Sequence, residues 1–298
     1  MSMFAYRYLR LCCISLLINQ LYSVNNFRQM LKNTEKHVIM DFSPLASCTD
    51  VVAMFFESLN IRQNVNYTSH INYYREKNFY KLYGHVTADE VASQNWYKFK
   101  VVRNPYSRAV SSYFHTMNLL WRSFFKRSNV FLSLVELNDK VLSVSFEQFF
   151  KIYYDNYVAA VGYEPFDGHD YVSMQSADVE WHRYEQNKGS IFNRIVKVEN
   201  LNSDIQLVNN ETGMNFQPTT YIVHSKRYNW TSHDIKSNNC NSNNSDNYGQ
   251  MTFKQFIVNT KVVFPLDYRV FYSNETKELL AKIFHKDLTL YNYSFGDP

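Results

Sequence analysis

Two arginines and a serine at fixed spacing are the side chains of this sequence best suited to binding a phosphate group. They stand in the stretch Arg103-Asn-Pro-Tyr-Ser-Arg108 and at Ser111. Guanidinium groups bind phosphate oxygens through paired N–H donors, and a serine hydroxyl adds another donor. These residue types indicate an anion site. On spacing alone, an ordinary surface arginine at a turn explains Arg103 equally well, so that alternative stays open.

The surrounding elements would bring these side chains together. Residues 96–102 are rich in aromatic and β-branched residues, which is typical of a buried strand. The strand stops at Asn104-Pro105, and proline suits the first turn of a helix because its missing N–H has no partner there. Apolar residues then recur at helical spacing, at Ala109, Val110, Tyr113 and Phe114. Arg103 is therefore predicted at the carboxyl end of a strand, in the crevice of an open α/β sheet.

The stretch 103–113 also resembles a known family signature. It fits the 3′-phosphate-binding pattern of sulfotransferases, R-[DN]-P-x-x-R-x-x-S-x-Y. The likeness is greatest to the Golgi carbohydrate sulfotransferases, including the uronyl 2-O-sulfotransferases. The resemblance implies 3′-phosphoadenosine 5′-phosphosulfate (PAPS) as the sulfuryl donor, with Arg103 and Ser111 holding its 3′-phosphate.

A second phosphate element is predicted earlier in the chain. Residues 37–42 form a strand pattern and residues 50–59 a helix with an apolar face, joined by a loop of small residues. Backbone N–H groups of such a loop, together with the helix N-terminus, cradle phosphate. The loop resembles the family's 5′-phosphosulfate loop, P-K-x-[GAS]-[CS]-[TS]. The resemblance implies that its members bind the donor: Pro44, Leu45, Ala46, Ser47, Cys48 and Thr49.

Leu45 departs from that pattern, because the family has a lysine there that contacts the 5′-phosphate and the bridging oxygen. Sulfuryl transfer builds negative charge on the leaving phosphate, so losing this cation costs about 10²–10³ in rate. Two interpretations stay open. Either another cation substitutes, or the chain is a catalytically impaired relative that binds nucleotide or glycan. Lys32 and Lys36 precede the strand and are expected on the wrong side to help.

His85 is the candidate catalytic base. Residues 78–86 are interpreted as a short strand that ends at Gly84-His85. A histidine beside the crevice could deprotonate an acceptor hydroxyl, because the usual imidazole pKa lies near neutrality. The Gly-His-Val triplet resembles the one that carries the base in uronyl 2-O-sulfotransferases. The alternative is a histidine hydrogen-bonded within a turn.

Three further segments resemble the family less closely. Gln175 fits the last position of the family pattern H-[WF]-x-P-Q. The pattern has a histidine four positions earlier, but here His169 lies six positions earlier, so it is only a second-choice site residue. Residues 197–201 resemble K-x-E-N-L, although Glu199 could equally be an acidic charge at a helix N-terminus. Residues 267–272, with a closing helix over 276–286, resemble the carboxyl-terminal Y-R-x-x-Y segment.

Composition limits the other function classes. The chain has 298 residues, is 45% hydrophobic and carries a net charge of +4, so it can bury one sizeable core. It has no basic run interleaved with aromatics, which argues against nucleic acid. Cys48 and Cys240 make no zinc-ligand pattern, and no metal is expected. The absence of G-x-x-x-x-G-K-[ST] disfavours a kinase.

The predicted organisation is a single domain over 30–298, with a mobile polar insert at about 236–249. The resemblance and the alternation of strands and helices both predict an α/β fold, a P-loop-like three-layer sandwich with a central parallel sheet. The resemblance implies transfer of a sulfuryl group from PAPS to a carbohydrate hydroxyl, on an acceptor that is glycosaminoglycan-like.

Residues 1–24 carry the sequence evidence on the cellular compartment of the protein. Arg7 and Arg10 precede a short apolar run, which indicates a signal peptide or a single membrane anchor. This places the chain in the secretory pathway, in the Golgi lumen or membrane. An amphipathic helix in a cytoplasmic protein is the alternative. Six glycosylation sequons are hardly more than chance predicts, and they begin at Asn66, Asn210, Asn229, Asn243, Asn274 and Asn292.

Overall fold

The computed structural model describes residues 30–43, 48–61, 71–127, 143–155, 175–176, 178–217, 248–253, 255 and 267–297. The predicted targeting segment 1–24, Cys240 and residues 236–247 of the predicted insert lie outside these ranges. Within the described ranges, no helix is both long and apolar enough to cross a membrane.

Four strands form one sheet in the order β1-β2-β3-β4. Their bounds are β1 Leu31–Asn33, β2 Val38–Phe42, β3 Tyr97–Val102 and β4 Arg194–Lys197. The last three run parallel, with Asp41 opposite Lys100 and Val101 opposite Val196. The sequence patterns over residues 37–42 and 96–102 predicted β2 and β3. The edge strand β1 runs antiparallel to β2 and was not predicted, because a three-residue Leu-Lys-Asn segment carries no strand pattern.

The helices in chain order are α1 Cys48–Ser58, α2 Ile71–Tyr74, α3 Tyr80–Tyr83, α4 Ala88–Ala92, α5 Pro105–Arg127, α6 Phe146–Tyr153, α7 Asp178–Glu185, α8 Leu201–Thr212, α9 Asn274–Ile283 and α10 His285–Leu290. A π-helical turn, Arg75–Phe79, joins α2 to α3. Turns of 3₁₀ helix cover Val198–Asn200, Tyr248–Gln250 and Tyr268–Phe271. The predicted closing helix over 276–286 is thus divided at Phe284 into α9 and α10.

Helices cover both faces of the sheet. On one face, Met40 of β2 and Phe99 of β3 are fully buried against residues of α1 and α8 such as Phe55 and Ile205. Successive residues along each strand point to opposite faces of the sheet, so the residues between these belong to the other face.

The opposite face is closed by α4, α7 and the end of α10. Fully buried Lys100 of β3 lies 3.1 Å from Asp41 of β2 and 2.5 Å from Glu180 of α7. Tyr291, just after α10, donates a hydrogen bond to the same glutamate at 2.9 Å. Burial alone would lower the pKa of Lys100, but the two carboxylates outweigh it and the pKa is raised. The predicted three-layer α/β sandwich is confirmed.

A second core lies beside the sheet, between α5, α6 and α9. Tyr113, Phe146 and Leu280 are fully buried in it, and Ser145 caps α6 through a reciprocal pair of hydrogen bonds with Gln148. Because α5 begins at the sheet and continues into this core, it connects the predicted phosphate site to the second layer of packing.

The predicted strand over residues 78–86 is wrong. This segment is helical through the π turn and α3, and it ends at Gly84, whose φ is +74°. The reason is packing: Phe79 stacks on Tyr83 at a ring-centroid distance of 4.7 Å and contacts Phe56 of α1 at 5.0 Å. A helical path presents these rings to one neighbour, whereas a strand would point successive side chains to opposite faces.

Candidate active site

The carboxyl end of β3 carries the centre of the site. β3 ends at Val102, Arg103 follows, and α5 begins at Pro105. Fully buried Asn104 is the N-cap of α5, since its side-chain oxygen accepts the backbone N–H of Tyr106 at 3.0 Å. The predicted strand, turn and helix around the arginine are therefore confirmed.

Arg103 and Ser111 lie in direct contact. The Nη1 of Arg103 donates to the hydroxyl of Ser111 at 2.9 Å, and its Nε donates to the hydroxyl of Ser107 at 3.1 Å. The side chain is half-buried. The sequence prediction that these two residues share one location is confirmed, and Ser107 is a third member that the signature leaves unspecified.

The electrostatics of this group suit an anion. The pKa of Arg103 is lowered, first by burial and then by the positive charge of Arg108, while Glu199 opposes the shift. An incoming negative charge would offset the repulsion between the two guanidinium groups. Arg108 itself is fully buried, and Ser112 donates to its carbonyl at 2.9 Å, so these two residues support α5 from inside.

Gln175 fixes the backbone of Arg103. Its side-chain oxygen accepts the N–H of Arg103 at 2.8 Å, and its side-chain nitrogen donates to the carbonyl of Arg103 at 2.7 Å. Its own carbonyl accepts the hydroxyl of Ser43 at 3.4 Å. Gln175 therefore links the ends of β2 and β3. His169, the second-choice residue of this segment, lies outside the described residues.

Asp287 of α10 in turn holds Gln175 in place. Its two carboxylate oxygens accept the backbone N–H groups of Gln175 and Ser176, both at 2.7 Å. Asp287 is fully buried and was not singled out from the sequence. The available signal was an acidic residue on the same helical face as Phe284 and Leu288, because a carboxylate among apolar residues needs hydrogen-bond donors.

Glu199 holds the next residue of the same turn. Its carboxylate accepts the backbone N–H of Asn104 at 2.7 Å and the hydroxyl of Tyr293 at 2.7 Å. Burial and then the charge of Glu199 raise the pKa of Tyr293, so its hydroxyl remains a donor. Glu199 was interpreted either as part of the family segment K-x-E-N-L or as an acidic charge at a helix N-terminus. These contacts favour the first interpretation, with Glu199 positioning the turn beside Arg103.

The predicted 5′-phosphosulfate loop is described only at its ends. Pro44, Leu45, Ala46 and Ser47 lie outside the described residues, and of Cys48 only the backbone is described. Helix α1 begins at Cys48, with Thr49 buried in its first turn at 6% exposure. The strand and the helix on either side of the loop thus lie where the sequence predicted them.

His85 follows α3 rather than a strand. Its exposed imidazole stacks on Tyr80, with the ring centroids 4.2 Å apart and the planes 24° from parallel. Burial raises the pKa of Tyr80, and the charges of Arg75 and Asp41 also act on it.

Comparison with known proteins gives one match. The sequence profile of the sulfotransferase family matches residues 13–294. No curated protein sequence and no solved structure matches this chain. The profile match spans β1 to α10 and includes every residue of the site described above. The chain belongs to the sulfotransferase family.

Proposed function

We propose that this chain transfers the sulfuryl group of PAPS to a carbohydrate hydroxyl. The observation that carries the proposal is the contact of Arg103 with Ser111, 2.9 Å apart at the carboxyl end of β3. A guanidinium and a hydroxyl held together at a strand end can donate several hydrogen bonds to one phosphate. Family membership supplies the reaction class, and the signature resemblance supplies the donor.

Each residue then has a defined role. Arg103 and Ser111 hold the 3′-phosphate, while the amides around Thr49 at the start of α1 face the 5′-phosphate. The acceptor oxygen forms a bond to sulfur as the bond from sulfur to the 5′-phosphate oxygen breaks. His85 accepts the proton of the acceptor hydroxyl. Adenosine 3′,5′-bisphosphate (PAP) leaves with the electron pair.

The acceptor and the location belong to the same proposal. The triplet around His85 resembles that of uronyl 2-O-sulfotransferases, which supports a glycosaminoglycan-like acceptor. The apolar segment within residues 1–24 supports a place in the secretory pathway, in the Golgi lumen or membrane. A cytoplasmic protein with another acceptor is the alternative.

Calorimetric titration of PAP tests the proposal. We expect Arg103→Ala to weaken binding about 10- to 150-fold, because a hydrogen bond to a charged group contributes about 1.5–3 kcal/mol. Arg194→Ala is the matched control. Arg194 begins β4 at the opposite end of the sheet and pairs with Glu211, so removing it should leave PAP affinity unchanged.

Assays of sulfuryl transfer from PAPS to a glycosaminoglycan panel complete the test. Binding that is lost in Arg103→Ala, together with turnover by the wild type, supports the proposal. PAP binding without turnover on any acceptor favours the catalytically impaired alternative that Leu45 suggested. No PAP binding to the wild type contradicts the donor assignment.

A further inference from the structure

Leu45 leaves the predicted phosphate loop without the cation that the family pattern carries there. In the proposed reaction, negative charge grows on the 5′-phosphate oxygen as its bond to sulfur breaks. A positive charge beside that oxygen speeds the reaction, because its attraction is stronger in the transition state than in the bound substrate. Any substitute cation must therefore lie near the carboxyl end of β2, where the loop begins.

Two lysines near β2 are held by other partners. Lys32 of β1 is 2.7 Å from the carboxylate of Glu90. Lys100 is fully buried between Asp41 and Glu180. Turning either ammonium toward a ligand would leave buried or partly buried carboxylates without their cation, which is strongly unfavourable.

Arg75 lies beside the carboxyl end of β2. Its guanidinium carbon is 5.5 Å from the ring centroid of Phe42, the last residue of β2. Phe42 precedes Leu45 by three positions, so Arg75 stands over the strand end from which the loop departs. A guanidinium over an aromatic face is attracted electrostatically to the ring.

The charge of Arg75 is only partly offset by its neighbours. Its Nε and Nη2 donate to one oxygen of Glu76, at 3.1 and 2.9 Å. The Arg75 side chain is 9% exposed, whereas that of Glu76 is 45% exposed and therefore well solvated. Within the described part of the chain, Nη1 makes no hydrogen bond. A nearly buried guanidinium thus keeps donor capacity for a further anion.

The segment that carries Arg75 is firmly attached to α1. Tyr74 contacts Phe56 edge to face at 5.5 Å, and Phe79 contacts the same ring at 5.0 Å. These two contacts flank Arg75, which begins the π-helical turn. Such turns are frequent at functional sites. The same short segment leads to Tyr80, on which His85 stacks, so one element positions both the cation and the predicted base.

We propose that Arg75 supplies the positive charge that stabilises the departing 5′-phosphate of the donor. It would take the role of the lysine that the family pattern has at the position of Leu45. This inference rests on the proposed function. The new bond joins the acceptor oxygen to sulfur, and the electron pair of the broken bond stays on the phosphate oxygen beside the guanidinium.

The experiment combines Arg75→Gln with Leu45→Lys in the full chain. Turnover is measured as PAP released from PAPS with the glycosaminoglycan panel, and PAP affinity is measured by calorimetry. We expect Arg75→Gln to lower turnover about 10²–10³-fold while PAP affinity falls much less, because Arg103 and Ser111 remain. Adding Leu45→Lys should raise the turnover of this variant at least tenfold. A purely structural role of Arg75 would not allow such a rescue.

Lys77→Gln is the matched control, since Lys77 is exposed on the same π turn and its loss removes the same charge. Its turnover should equal that of the wild type. Two results would overturn the inference about Arg75 and leave the proposed function intact. One is turnover of Arg75→Gln close to that of the wild type, and the other is a double variant that still binds PAP but shows no rescue of turnover. A wild type that binds PAP but transfers no sulfuryl group would overturn the proposed function as well.

Discussion

Arg103 is held mainly through its backbone. Gln175 occupies both its N–H and its carbonyl, and Glu199 occupies the N–H of the following residue. The guanidinium takes its direction from Ser107 and Ser111 on α5. Such a site is organised before a ligand arrives, so binding pays little for ordering the side chain.

His85 carries the clearest prediction about a single side chain. We expect His85→Gln to lower sulfuryl transfer about 10²–10⁴-fold, because a positioned base contributes that much to proton transfer. PAP affinity should not change, since the imidazole is exposed and takes no part in the Arg103 contacts. Parallel turnover and calorimetric measurements check this expectation.

The exposed His182 of α7 provides a matched control for that variant. His182→Gln should retain full turnover. If His85→Gln instead keeps more than about a tenth of the wild-type rate, a general-base role is excluded by the size of that contribution, and the stack on Tyr80 is structural.

Between elements, the decisive contact is the one from α10 to the 175–176 segment. The buried carboxylate of Asp287 accepts two backbone N–H groups there. We expect Asp287→Asn to lower the free energy of unfolding by about 1.5–3 kcal/mol, because the amide nitrogen would face a donor and one buried N–H would lose its acceptor. Urea denaturation measures this change.

The same variant should also weaken PAP binding, because a displaced Gln175 no longer holds Arg103. Asp89→Asn is the comparison, since Asp89 is exposed on α4. Unchanged PAP affinity in an Asp287→Asn protein that is measurably less stable would show that α10 stabilises the fold without positioning the site.

For the whole molecule, the proposed secretory location predicts glycosylation. The described sequon asparagines Asn210, Asn274 and Asn292 are all exposed, so a glycan can be attached without unfolding the chain. We expect the full chain, expressed in a eukaryotic secretory host, to increase its gel mobility after endoglycosidase treatment. Each Asn→Gln variant at an occupied sequon should remove part of that shift.

Expression without residues 1–24 is the control for location, since that chain should stay in the cytosol and show no shift. If the full chain also shows none and fractionates with the cytosol, the cytoplasmic alternative is supported instead.

Local patterns in the sequence determined much of the fold, and in the site they determined the β3–α5 turn with Arg103 and Ser111. The β3–α5 turn could be predicted because proline, an N-cap residue and an apolar helical period all lie within a few positions of Arg103. The contact of Arg103 with Ser111 followed from the same stretch, since Ser107 and Ser111 are four residues apart and share the face of α5 beside Arg103.

Only the tertiary structure decided the rest, because those contacts join residues that are far apart in the chain. Asp287 meets Gln175 from α10, and Glu199 meets Asn104 from the turn after β4. The helical path of residues 75–83 depended on packing against α1, which local propensity does not record. That path is what places Arg75 over Phe42, at the end of the strand that precedes Leu45.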